Sequence, residues 1–100
     1  MSLSKGQKRH LKALAHRLNP VVMVGQAGVT EGVLGETRAA LDHHELIKLK
    51  VSAGDRGMRD LMIAELAHKC EAELVQRIGN VAVLFRPNPK KKAAIALPDP

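Results

Sequence analysis

The stretch Val21-Val22-Met23-Val24-Gly25-Gln26-Ala27-Gly28-Val29-Thr30-Glu31-Gly32 constrains the fold of this chain more than any other. It reads as an apolar run, then a short loop framed by Gly25 and Gly28, then the start of a helix. Val21 to Val24 is β-branched apart from Met23, which predicts a buried strand. Thr30 is a good N-cap, Glu31 suits the positive end of the helix dipole, and Val29 with Leu34 can staple the chain across that cap. Such a junction lets bare backbone N–H groups approach a phosphate beside a helix N-terminus. Two glycines at a strand-to-helix turn also serve geometry alone, so the pattern by itself leaves both readings open.

The remaining segments fall into the same alternation. Ser4-Lys5-Gly6-Gln7 forms a capping box, and Leu3, Leu11, Leu14 and Leu18 then share one face of a first helix. Lys5, Lys8, Arg9, Lys12 and His16 share the opposite face, and Asn19-Pro20 ends the helix. The helix after Thr30 runs to about His43, and from Glu45 to Val51 a strand sets Ile47, Leu49 and Val51 against Lys48 and Lys50. Ser52 to Gly57 is turn-rich. A third helix follows from Met58 to about Lys69, with Met58, Leu61, Met62 and Leu66 expected to face inward. Leu74–Ile78 and Val81–Phe85 flank Gly79-Asn80, a hairpin signal of the type with glycine first. The order α-β-α-β-α-β-β predicts an α/β fold with a four-stranded mixed sheet and helices packed on its faces. Residues 1–97 read as a single domain, with 87–100 a basic, proline-containing C-terminal tail. That composition predicts flexibility, although Ala93 to Leu97 can pack back onto the domain.

Charge is the second constraint. The net charge is +6, and the excess lies at the ends. Lys5, Lys8, Arg9, Lys12 and Arg17 have no acid among the first 20 residues, while Arg86, Lys90, Lys91 and Lys92 face only Asp99 in the last 15. This distribution suits a polyanion held by counterion release, with mere solubilisation as the plainer alternative. No apolar run approaches the roughly 20 residues that cross a bilayer, and no secretory pattern is evident. Cys70 is alone, which excludes an internal disulfide and makes the cytoplasm the expected compartment.

Candidate chemistry is sparse. His10, His16, His43, His44 and His68 show no i,i+4 pair, and there is no second cysteine, so no metal or cofactor is expected. No nucleophile motif and no Walker lysine point to an enzyme. Gly25-Gln26-Ala27-Gly28 is a GxxG loop, the element that clamps nucleic-acid backbone in KH-type modules. A second GxxG, Gly54-Asp55-Arg56-Gly57, carries Arg56 but also Asp55, and equally suits a turn before an N-capped helix. Phe85 is the one aromatic, on an apolar strand, so any nucleic acid is expected to be read by backbone and shape more than by base stacking.

The order of these blocks resembles the CRM domain (chloroplast RNA splicing and ribosome maturation), particularly its small stand-alone bacterial, YhbY-like members. The resemblance runs from about Leu3 to Leu97. It rests on Lys8 to His16 with Pro20-Val21-Val22, on Val24 to Val33, on His43 to Lys48, and on Ile78-Gly79 followed by Val83 to Pro87. It implies a fold similar to the C-terminal domain of translation initiation factor 3, and an RNA-binding function. For bacterial relatives it implies association with precursors of the large ribosomal subunit. The family's GxxG matches Gly25 to Gly28 rather than Gly54 to Gly57. The family often has Thr-Gly after the third helix, where this chain has Cys70-Glu71, and a Tyr where it has Phe85. The expectation is a monomeric, non-catalytic RNA-binding protein with no membrane or small-molecule partner. Gly25, Gln26, Ala27 and Gly28 hold the RNA backbone, Lys5, Lys8, Arg9 and Lys12 form a basic face, and Lys90, Lys91 and Lys92 add non-specific attraction. A DNA-binding architectural protein and a protein-interaction module acting on an assembly factor are the alternatives. Gly28→Asp is expected to abolish RNA binding in a folded protein.

Overall fold

The computed structural model describes residues 2–52, 54–91 and 94–100. Its helices begin where short polar side chains replace missing backbone acceptors. In α1 (Lys5–Ala15) the Ser4 hydroxyl accepts from the Gln7 amide at 3.1 Å, and the Gln7 side chain accepts from the Ser4 amide at 3.0 Å, closing the expected capping box. In α2 (Glu31–His44) Thr30 Oγ1 accepts from the Val33 amide at 3.1 Å. In α3 (Arg56–Lys69) Asp55 Oδ1 accepts from the Met58 amide at 2.9 Å.

The strands β1 (Pro20–Val24), β2 (Leu46–Val51), β3 (Glu73–Ile78) and β4 (Val81–Phe85) form one mixed sheet in the order β1-β2-β4-β3. β1 runs parallel to β2, as a helical crossover requires, and β4 is antiparallel to both its neighbours. The β3–β4 turn places Gly79 at φ +59 while Asn80 keeps a negative φ, the geometry that a glycine-first hairpin demands. The architecture predicted from the alternation is therefore present.

Side-chain parity divides the sheet into two faces. Val22, Val24, Ile47, Leu49, Val51, Ala82 and Leu84 pack against Leu34 and Leu41 of α2 and Ile63 and Leu66 of α3. On the other face Leu46, Val75, Val83 and Phe85 pack under Leu11 and Ala15 of α1. Phe85, the one aromatic, is core as its strand implies.

Three packing expectations need correction. The seam of α1 is Leu11–Ala15, and the helix ends there. Leu18 therefore lies beyond its register, and Leu14 and Leu18 are exposed at 43% and 37%. α3 packs through Ile63, Leu66 and then Cys70, leaving Met58 and Leu61 exposed. β1 is buried only at Val22 and Val24. It is an edge strand, and α1 does not reach over its outer face, so Val21 and Met23 stay open.

The segment after β4 returns to the domain, through a residue whose role the sequence did not reveal. Glu45 follows α2 with φ 64 and is buried. Its carboxylate accepts from the Asn88 amide at 2.6 Å and from the Ile95 amide at 2.8 Å, and its carbonyl accepts from the Arg86 amide. Ile95 and Leu97 thereby join Leu3 against the α1 cluster. The expected flexible tail is thus docked at Asn88 and again from Ile95, with the packing foreseen for Ala93 to Leu97 seen at Ile95 and Leu97.

Candidate nucleic-acid interface

The GxxG loop leaves the end of β1 beside two other turns. The Ser52 amide donates to Val24 O at 2.8 Å, and the Val51 amide donates to Asn80 O at 2.7 Å. The loop itself is a tight turn in which the Gly28 amide donates to Gly25 O at 3.0 Å. Gly25, Gln26 and Ala27 are exposed, and the Gln26 and Ala27 amides have no protein acceptor among the described residues. The helix that follows is less bare than its position suggests. Thr30 takes the Val33 amide, and the Glu31 carboxylate stands in the first turn, where it offsets part of the positive dipole end.

The glycines differ in what they do for the fold. Gly28 sits at φ +75, a backbone state that suits glycine, with Met62 Cε at 3.7 Å from where a Cβ would be. Gly25 lies outside the left-handed region, and a Cβ there would meet nothing within 4 Å. The second GxxG is accounted for internally. A Cβ on Gly54, at φ +67, would come within 2.7 Å of Met58 Cβ. Asp55 is spent on the α3 cap, and Arg59 Nη1 donates to Gly54 O at 3.0 Å.

The basic face of α1 has no partner within the chain. Lys5, Arg9 and Lys12 are exposed, Lys8 is half-buried, and none forms an ion pair among the described residues. Ion pairs among the described residues use other cations, as in Lys69 with Glu65, Arg77 with Asp60 and Arg86 with Asp42. Arg86 is structural. Its guanidinium also donates to Cys70 O at 2.9 Å, at the carbonyl end of α3, and to the mid-helix Arg38 O of α2 at 3.2 Å.

The predicted residues do not form one cluster. Lys12 lies near mid-sheet, lining a cleft of about 380 Å³ with His16, Lys48 and Ile78. Lys90 and Lys91 follow Asn88, whose side chain donates to Asp42 O, so they stand at the end of the sheet away from the GxxG loop. Lys92 lies outside the described residues. Lys48 and Lys50, half-buried on the outer face of β2, were not predicted as site residues. Their alternation with Ile47, Leu49 and Val51 was the available signal.

Among the described residues no group of His, Cys, Asp or Glu could hold a metal ion, and no helix is long and apolar enough to cross a membrane. The Cys70 thiol is buried, and burial pushes its pKa up despite the opposing pull of Arg38 and Arg86. It is therefore a poor nucleophile at neutral pH.

Comparison with known proteins agrees in sequence and in fold. The chain is 52% identical to an RNA-binding protein of Haemophilus influenzae, covering 97% of this chain and 96% of that one. It is 43% identical to a Pseudomonas aeruginosa protein named as a probable RNA-binding protein, covering 90% and 86%. The solution structure of a hypothetical Staphylococcus aureus protein superposes with a TM-score of 0.82 at 32% identity, covering 97% and 100%. The profile of the CRS1 / YhbY (CRM) domain matches residues 3–86, and the chain belongs to that family.

Proposed function

We propose that this chain is a non-catalytic RNA-binding protein. It holds RNA backbone at Gly25–Gly28 and draws the polyanion in through Lys5, Lys8, Arg9 and Lys12. The observation that carries the reading is Gly25. A glycine in open space, with no conformational need of its own, leaves room for something outside the chain. The unpaired Gln26 and Ala27 amides beside it suit phosphate oxygens, and the relatives named as RNA-binding proteins support RNA as the ligand. The cellular target is then ribosomal RNA of large-subunit precursors, with the protein aiding subunit assembly in the cytoplasm as a monomer.

Gly28→Asp is a poor probe of this role, because the left-handed backbone there strains any replacement whether or not RNA is bound. Gly25→Asp isolates the loop. Its unfolding midpoint should match the unmutated protein, while affinity for a structured ribosomal RNA fragment falls at least tenfold, about 1.4 kcal/mol. A folded Gly25→Asp protein with full affinity would remove the loop from the mechanism. Competition with duplex DNA at fixed salt separates RNA preference from general polyanion binding. Sedimentation of a cell lysate then asks whether the protein travels with large-subunit precursors.

A further inference from the structure

α1 covers only half of its sheet face. Its seam, Leu11 and Ala15, sits on Leu46, Val75, Val83 and Phe85, towards the end of the sheet where the tail docks. Towards the GxxG end the same face stays open. Register places Lys50 between Met23 of β1 and Val81 of β4, with Ile78 of β3 beyond Val81. Met23 is 58% and Ile78 65% exposed. The cleft of about 380 Å³ lies where this floor meets α1, with Lys12, His16 and Lys48 around Ile78 and Val81.

Resting on the RNA-binding reading above, we propose that the cleft takes an unpaired nucleotide adjoining the backbone held by the GxxG loop. The base lies on the aliphatic floor of Ile78 and Val81, and its phosphates meet Lys12, Lys48 and Lys50. Three features select this occupant. No acid lines the cleft, and Lys12, Lys48 and Lys50 form no ion pair among the described residues, so the charge complements an anion. The floor is apolar, which suits the face of a base but not a bare phosphate. The volume is at the lower end of what a small ligand needs, about 300 to 1,000 Å³, and therefore fits a single nucleotide. Lys50 is also one residue before Val51, which is paired with Val24 where the GxxG loop begins, so one strand of RNA can run from loop to cleft.

The test compares a blunt RNA duplex with the same duplex carrying a short 3′ oligouridine overhang, on the full chain. The unmutated protein should bind the overhang form about three- to fivefold more tightly, less than an aromatic stacking platform would give. Ile78→Ser, at an exposed position, should unfold at the unmutated midpoint and erase that preference while leaving blunt-duplex affinity unchanged. Lys48→Gln should weaken the overhang form more than the blunt one. Equal affinity of the unmutated protein for both RNAs, or a preference that survives Ile78→Ser, overturns the cleft while leaving the GxxG reading intact. A folded protein that binds neither RNA overturns that reading as well. Sedimentation of unmutated protein as a dimer, made monomeric by Ile78→Ser, would show a second copy to be the occupant and likewise end the proposal.

Discussion

Glu71 is the residue whose backbone and side chain disagree most plainly. It stands just past α3 at φ 54, where its amide donates to His68 O and the Ala72 amide to Ala67 O. These two bonds form a Schellman closure, whose left-handed position favours glycine. A residue with a Cβ there costs about 1 to 2 kcal/mol, while glycine gives back part of that through the freer unfolded chain. Glu71→Gly should therefore raise stability by about 0.5 to 1 kcal/mol, read as a higher urea midpoint at unchanged slope. Glu45 has a similar φ, 64, but its carboxylate and carbonyl are both engaged, so relief of strain there would cost the tail its anchor. Neither left-handed turn was legible, because glutamate carries no sign of this conformation. Gly79 was legible, since a glycine between two strand patterns has few other uses.

Periodicity identified the elements better than their buried seams. Helix and strand types follow from spacing of 3.6 and 2, and the caps at Ser4 and Thr30 marked two helix starts, while the third helix, expected from Met58, begins at Arg56 behind the Asp55 cap. Seam choice depends on what covers the element, and the sequence does not contain that. Leu61 has the hydrophobicity of a core residue yet is 69% exposed, while Ile63 two residues on is buried. The tail shows the same limit at longer range. Pro87, Pro89 and the lysines signal a free segment, but two of its backbone amides find a buried carboxylate more than 40 residues earlier. Removing that carboxylate leaves partly buried N–H groups without an acceptor. Glu45→Ala should thus cost about 2 to 4 kcal/mol, with faster hydrogen exchange at Asn88 and Ile95 than at the β2–β4 ladder. Wild-type protection at those two amides in the variant would show that apolar packing of Ile95 and Leu97 alone holds the tail.

Over the whole molecule, charge is arranged along a path rather than at a point. The pairs Arg77–Asp60 and Arg86–Asp42 neutralise cations that tie helices to the sheet, and Lys69–Glu65 does so along α3. Among the described residues the cations of α1 are left free. α1 spans roughly 16 Å by its 1.5 Å rise; near its start Gln7 donates to Pro98 O in the tail, and towards its far end Lys12 and the capping His16 line the open cleft. It thus links the tail end of the sheet with the half of that face nearer the GxxG loop. If RNA follows this path, cations on it release counterions on binding, with a slope of log K against log salt of about −0.9 per duplex phosphate neutralised and about −0.7 in a single strand. Lys8→Gln with Arg9→Gln should then flatten the slope by about 1.4 to 1.8, without moving the unfolding midpoint, since neither cation has a partner to lose. A protein-interaction module would show no such slope. Lys90→Gln with Lys91→Gln makes the sharper case, because these lysines stand about one strand length, roughly 17 Å, from the GxxG end. Their loss should flatten the slope only for RNA long enough to span the sheet. A short RNA should bind both proteins with the same salt dependence. If the short RNA also loses slope, the path has a different direction, and the tail lysines belong to the same contact as the loop.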